Sequence, residues 1–510
     1  MDLSNISRRQ TLQVAAMGGL SALLANGGKV LAQSSDSLSI AFPGDVPAWD
    51  PNLRTHVVGH SLYKCVFDQP LTYTPDLKLA PALLRRWQVS ADGKTIELEL
   101  RDDVAFHNGD RLEAKDVRYT YFERPRAERS DLTGIWRRLS DIQVLSPTRA
   151  VMKFTDPMPS AIPWLTFLAS FVVPKNYMTS VGKEGFQAKP VGSGPYKLSL
   201  YRQNSRILLE ANANYWGGTP AFRQVSIEIL GDASSRTAAI ESKRVSMASE
   251  MTVRDATRMK ADPGLRASIE PFTDIYLFQI GNVGAFADKR VRLAAHHAID
   301  KVGLSRALFG GIAKPISVPA AHNTPGYPED YKFAYDVAKA TALLAEAGYS
   351  ASKPVDITLF TTNGTFPGDF DMSRVIAQMW GRVGIRAKVE TIEFVQYQER
   401  LRAGTLPEAT MYRWGNMTGD PELYIGYLLN PKFPFSAWKS DDISARLDPL
   451  FVESDAEKRY AGYREFAKYA VDNGYSIPLL QGVTATVYQR NVGFVPYTNG
   501  WIRPSEFKPV

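Results

Sequence analysis

One cysteine, Cys65, stands among 510 residues. The chain can therefore close no disulfide on itself and build no Cys-rich zinc or iron–sulfur centre. Histidine is also sparse, at six. His56 and His60 share a helical spacing, but Gly59 lies between them and no third ligand stands nearby. His296 and His297 are adjacent and would point about 100° apart on a helix, so no protein–metal site is expected. A surplus of one charge is missing too. The 60 basic and 53 acidic residues are interleaved and leave a net +7, which does not describe a concentrated nucleic-acid-binding face. There is no H-E-x-x-H, no G-x-S-x-G and no G-x-x-x-x-G-K-[ST], so the common zinc-protease, serine-hydrolase and phosphate-loop chemistries have no sequence support. Gly192-Ser193-Gly194 leads into Pro195-Tyr196 and a strand-like stretch, and reads as a tight turn. What is present is ordinary globular composition: 44% hydrophobic, 22% charged and 11% aromatic, in a length suited to two to four domains of about 150 residues.

Residues 1–32 predict a twin-arginine signal peptide. Ser7-Arg8-Arg9-Gln10-Thr11-Leu12 is followed by an apolar run from Val14 to Ala25 and by Val30-Leu31-Ala32, a small-residue cleavage pattern. The run is about a dozen residues, short of the roughly 20 that span a bilayer core. No later stretch approaches 18 uninterrupted apolar residues, so a soluble, exported protein with a periplasmic destination is expected.

Beyond the signal the chain predicts a mixed α/β protein with no internal repeat. Ser37–Ala41 and Thr95–Leu100 alternate as strands do, and Asp92-Gly93 is a hairpin-turn signal. Ala114–Phe122 reads as a helix. So does Asp336–Ala347, with Asp336 as N-cap and Gly348 as terminator. A strand at Pro354–Phe360 follows it, the alternation of α/β domains.

The residues then carry a resemblance. Ser61–Leu71, Leu79–Trp87 with Asp92-Gly93-Lys94-Thr95, Phe106-His107-Asn108-Gly109-Asp110 and Ala114–Val117 come in order. Val191–Tyr196, Asn214–Gly218, Arg290–Lys301 and Leu344–Tyr349 follow. From about residue 38 to about 500 the chain resembles the family 5 extracellular solute-binding proteins, the dipeptide-, oligopeptide- and nickel-binding components of ABC importers. The resemblance implies an α/β, two-lobed periplasmic binding protein fold, with a hinged inter-lobe cleft and an extra subdomain in the first lobe. By it, subdomain Ia takes residues 36–80, 191–278 and 484–510. Subdomain Ib takes 81–190 and the second lobe 279–483, with hinges near Tyr276–Asn282 and Ile477–Gly482. It further implies a non-enzymatic monomer without cofactor, which captures a small or peptide-like solute and hands it to an ABC permease and its ATPase.

Candidate ligand-binding residues follow from the same resemblance. In peptide-binding relatives a loop tryptophan is followed three residues later by an aspartate that pairs with the peptide's α-ammonium. Here the tryptophan is Trp414, and Met417 stands where the aspartate would. A buried ammonium without a counter-charge is costly, so an ordinary peptide is disfavoured unless Asp420 or Glu422 takes over. Asp420-Pro421-Glu422 also reads as a helix start. Arg413 could meet a carboxylate, and Asn416 lies in the same loop. Trp49 and His56, Tyr276 and Phe278 near a hinge, Asn363 and Phe366 after a second-lobe strand, and Trp501 are candidates by position. A non-peptide solute such as an opine, a sugar conjugate or a metal chelate is the alternative within this fold. An exported hydrolase using an unrecognised carboxylate pair is the alternative of another class.

Overall fold

The computed structural model describes residues 36–53, 59–128, 131–167, 170–363 and 365–510. The expected signal segment and His56 lie outside them. Ten strands form one mixed sheet. From one edge they run Ile385–Thr391, Val355–Thr361, Ala409–Trp414, Leu265–Ile280, Ser476–Gln489, Met247–Ala248, Ser37–Phe42, Gln224–Ile229, Arg206–Ala211 and Tyr196–Arg202. The two long members, Leu265–Ile280 and Ser476–Gln489, pair antiparallel from Leu265 opposite Gln489 to Gln279 opposite Ser476. The early strands gather on one side of this pair and the strands after residue 350 on the other. Every residue from Phe272 to Ile280 is buried, as expected of a strand covered on both faces.

A separate antiparallel sheet in the order Leu84–Val89, Thr95–Leu100, Arg149–Phe154, Leu139–Ser146 lies within residues 81–190. Thr95–Leu100 buries Ile96, Leu98 and Leu100 and turns its carboxylates outward, as its alternation requires. The helix Val337–Glu346 starts at Asp336, whose carboxylate accepts from Lys339 N at 2.8 Å, and ends before Gly348 at φ +86°. The helix expected over Ala114–Phe122 is α-helical only to Arg118, then widens into a π turn over Tyr119–Glu123. There Thr120 Oγ1 accepts from Val173 N at 3.2 Å.

Two of the sequence blocks meet on one carboxylate. Buried Asp68 accepts from Ser193 Oγ at 3.0 Å, Tyr215 Oη at 3.1 Å and Trp216 Nε1 at 2.9 Å. Burial holds its pKa above the usual range despite these donors. The glycine turn lies against the end of the helix His60–Val66, with Gly194 N donating to Val66 O at 3.0 Å. A Cβ on Gly192 would sit 2.0 Å from that same carbonyl oxygen. Gly192→Ala is therefore expected to destabilise the fold by about 1–3 kcal/mol through overpacking, read as a lower urea midpoint with unchanged slope.

Candidate functional site

The register of the central strand breaks between Pro271 and Ile275. Such an irregularity re-aims side chains, and here Phe272 and Asp274 line a small cavity beside the strand. Gly482 allows it: a Cβ there would meet the Phe272 ring at 2.5 Å and the Asp274 carbonyl oxygen at 3.1 Å. On the neighbouring strand Ala409–Trp414, Arg413 pairs with Tyr276 in the sheet. Its Nε lies 3.2 Å from Asp274 Oδ2 and its Nη1 donates to Glu250 Oε2 at 3.3 Å. The guanidinium lies 5.4 and 5.5 Å from the centroids of the Phe272 and Phe366 rings. Glu250 follows the short strand Met247–Ala248 and holds φ at +50°, a left-handed conformation costing a non-glycine residue about 1–2 kcal/mol.

Phe272, Asp274, Arg413 and Glu250 line a cavity of about 40 Å³, together with Met417 and Asn499. At roughly 10–15 Å³ per water, that holds about three waters and no dipeptide. Contacts beside the cavity tie early and C-terminal segments to the loop after Trp414. Tyr73 Oη donates to Thr418 O at 2.9 Å, and Ser160 Oγ to Glu422 Oε1 at 2.7 Å. Trp501 Nε1 donates to Met417 Sδ at 3.2 Å.

One guanidinium, that of Arg413, lines the cavity with two carboxylates; a second, that of buried Arg236, lies behind Glu250 and donates to its backbone carbonyl oxygen at 2.6 Å. Asp274, 2% exposed, has no hydrogen-bond partner for Oδ1. Burial pushes the Asp274 carboxyl up to about 7, Arg413 opposes this and Glu250 adds to it. Burial works against the Arg413 cation, but Glu250 and Asp274 more than offset it and hold the guanidinium firmly charged.

Of the residues singled out by sequence, Arg413 and Met417 line the cavity, and Phe366 and Trp501 touch them. Asn416 instead folds its own loop: Oδ1 accepts from Thr418 N and Gly419 N, and Nδ2 donates to Asp420 O. Asp420 caps the following turn, accepting from Glu422 N at 2.9 Å, and takes both outer nitrogens of buried Arg459 at 2.7 and 2.9 Å. Glu422 lies 3.1 Å from the same guanidinium. Trp414 is buried and donates to Leu423 O; Tyr276 donates to Pro367 O; Phe278 packs on Trp380. Trp49 packs edge-on against Tyr63 and Tyr201 away from the cavity, and Asn363 is exposed. His60 stacks on Trp501 at 4.9 Å, and His296 on Phe333 at 3.7 Å. Among the described residues no cluster of three or more His, Cys, Asp or Glu could hold a metal ion.

Sequence reasoning missed Asp274, Glu250 and Phe272. A signal for Asp274 was present: a lone acid inside an apolar strand is informative because buried charge is rare without a purpose.

A sheet joined through two long crossing strands, with a polar cavity between its halves, is the architecture of a two-lobed binding protein. The model of "Bacterial extracellular solute-binding proteins, family 5 Middle" matches residues 78–433, and the chain belongs to that family. It is 25% identical over 421 residues to the dipeptide-binding protein of Escherichia coli, covering 76% of this chain and 78% of that protein. The structure of DppA from Helicobacter pylori in complex with the peptide STSA superposes with a TM-score of 0.82 at 22% identity. That match covers 93% of this chain and 98% of the other. NikZ from Campylobacter jejuni, in complex with Ni(L-His), gives 0.83 at 18% identity, covering 93% and 99%. Among the described residues no helix is long and apolar enough to cross a membrane.

Proposed function

We propose that this chain is the periplasmic solute-binding component of an ABC importer, exported by its twin-arginine signal. It closes its lobes on a small organic solute and presents the closed form to a membrane permease and ATPase. The observation that carries this is the cavity around Arg413, Glu250 and Asp274, buried between halves joined by two long strands. A solute bound there favours the closed form by its differential affinity for it. Relatives named for dipeptides and a neighbour holding Ni(L-His) support capture of small polar compounds. Deleting the gene should abolish uptake of the solute that native mass spectrometry finds on protein prepared gently from the periplasm. Unchanged uptake, with no solute carried, would overturn the proposal. Turnover of the carried solute would point instead to the hydrolase.

Within this function, the loop after Trp414 offers no free carboxylate to an ammonium. Asp420 and Glu422 are both engaged by Arg459, and Met417 is seated on Trp501. A non-peptide solute, or a peptide held elsewhere, fits these contacts better than a peptide held by the loop. Met417→Asp would place a carboxylate next to Trp501 Nε1. It is expected to strengthen binding of di- to pentapeptides at least tenfold in calorimetry, and no gain across that panel would count against the loop as the deciding feature.

A further inference from the structure

Resting on the solute-capture function above, we propose that the solute is an organic cation whose protonated amine is held by the Asp274 carboxylate on the hinge strand, with Glu250 as the second acid of the site. Three observations meet on these residues. The cavity sets two carboxylates against the Arg413 guanidinium in a volume with room for about three waters, and Asp274 shares that one guanidinium with Glu250, while Arg236 meets Glu250 from behind. Asp274 is buried and its Oδ1 is unpartnered, whereas buried carboxylate oxygens normally find donors. Glu250 is held in a left-handed backbone conformation beside the cavity, and such outliers collect at ligand clamps.

An anionic solute would find Arg413 already engaged by two acids, and a neutral one would leave the buried Asp274 charge to be relieved only by taking up a proton. An ammonium supplies both a counter-charge for Asp274 and the missing donors. Arg413 then acts as a positioning residue, fixing Oδ2 and leaving Oδ1 for the solute. A Cβ on Gly415 would lie 3.2 Å from Oδ1, so the glycine gives this oxygen room.

The site should also be pH-sensitive. The groups facing Asp274 are Arg413 and Glu250, together with the Tyr412 and Tyr424 hydroxyls, which burial keeps protonated. With the free carboxyl titrating near 7, a cation must displace its proton below that pH. Affinity should fall about tenfold per pH unit on acidification from 7, and stay flat above it.

The test is calorimetric titration of the full mature chain with matched pairs: putrescine against 1,4-butanediol, and Ala-Ala amide against N-acetyl-Ala-Ala amide. The expected result is binding of an amine, at least 100-fold weaker for its neutral partner and equally weakened by Asp274→Asn. That variant should keep a thermal midpoint at pH 8 no lower than the parent's, since it removes an unfavourable buried charge. If it fails to fold, the pH series on the unaltered chain decides by the same slope. An amine bound equally well by Asp274→Asn, or with no pH slope below 7, overturns the proposal. So does binding of only the neutral partners, which leaves solute capture standing. Binding of none of the four also overturns it, and solute capture is then judged separately by the uptake experiment.

Discussion

Arg413→Met is expected to lower stability by about 3–5 kcal/mol at pH 8, the usual effect of removing one partner from a buried ion pair. The variant strands Asp274 and Glu250 beside each other with no cation between them, in a cavity with room for about three waters. The sign of its pH dependence follows from the carboxyl. In the parent, burial raises Asp274 to about 7 from an ordinary value of 3.8. Its ionisation therefore removes stability as pH rises from about 4 to 7, and nothing further above 7. Without Arg413 the folded-state value rises beyond 7, so the variant goes on losing stability where the parent has levelled. The deficit should be smaller at pH 5–6 and grow from pH 7 upward. Guanidinium unfolding at pH 5.5 and 8 checks this, and a deficit equal at both would mean that Asp274 is not the stranded group. Adding Asp274→Asn should recover a substantial part of the loss at pH 8, because the stranded charge is then gone. That coupling is measured by the double-mutant cycle.

The same residues show how far sequence patterning reaches. Alternation at Thr95–Leu100 and the Asp336 cap with its glycine terminator are local signals, and each specifies an element by itself. The ordered blocks from Ser61 to Tyr349 carried the family. Asp68 shows part of the physical reason they recur together: it gathers donors from Ser193, Tyr215 and Trp216, about 125 to 148 residues away in the chain. The site was less legible. Arg413 could be picked out as a lone arginine in a loop-flanking strand, but its partners come from another strand and from the turn after a third. Glu250 is 163 residues distant, and Asp274 is turned toward the cavity by a register break that no spacing encodes. Tyr276 and Phe278 lie only two and four residues beyond Asp274, near the expected hinge, yet they pack into the core. Proximity along the chain placed the right strand, and the bulge decided which of its side chains met the cleft.

Arg459→Met is expected to cost a similar amount, about 3–5 kcal/mol at neutral pH, by a route that separates stability from ligand chemistry. Arg459 is buried on the helix Ala456–Asp472 and serves Asp420 with both outer nitrogens and Glu422 with one. Burial raises the Glu422 carboxyl above its ordinary value, Arg459 opposes this and Asp420 adds to it. Removing the guanidinium removes the opposing influence, so Glu422 stays protonated to higher pH in the folded variant. The deficit should therefore shrink in acid, where the carboxyl is neutral in both proteins, and widen as pH rises through the carboxylate range. The effect should also reach the cleft. Asp420 N takes Thr418 Oγ1 as acceptor and Asp420 O receives Asn416 Nδ2. Loosening Asp420 thus loosens the turn that presents Met417 to Trp501 and Thr418 O to Tyr73. Hydrogen exchange at Thr418 and Gly419 should then rise along with exchange at Glu422, while amides of the Leu84–Phe154 sheet change only with global stability. Uniform acceleration everywhere would assign Arg459 to global stability alone. A local rise would make this buried triad the brace that holds the loop against the first lobe, leaving the charge at Asp274 free to serve the solute.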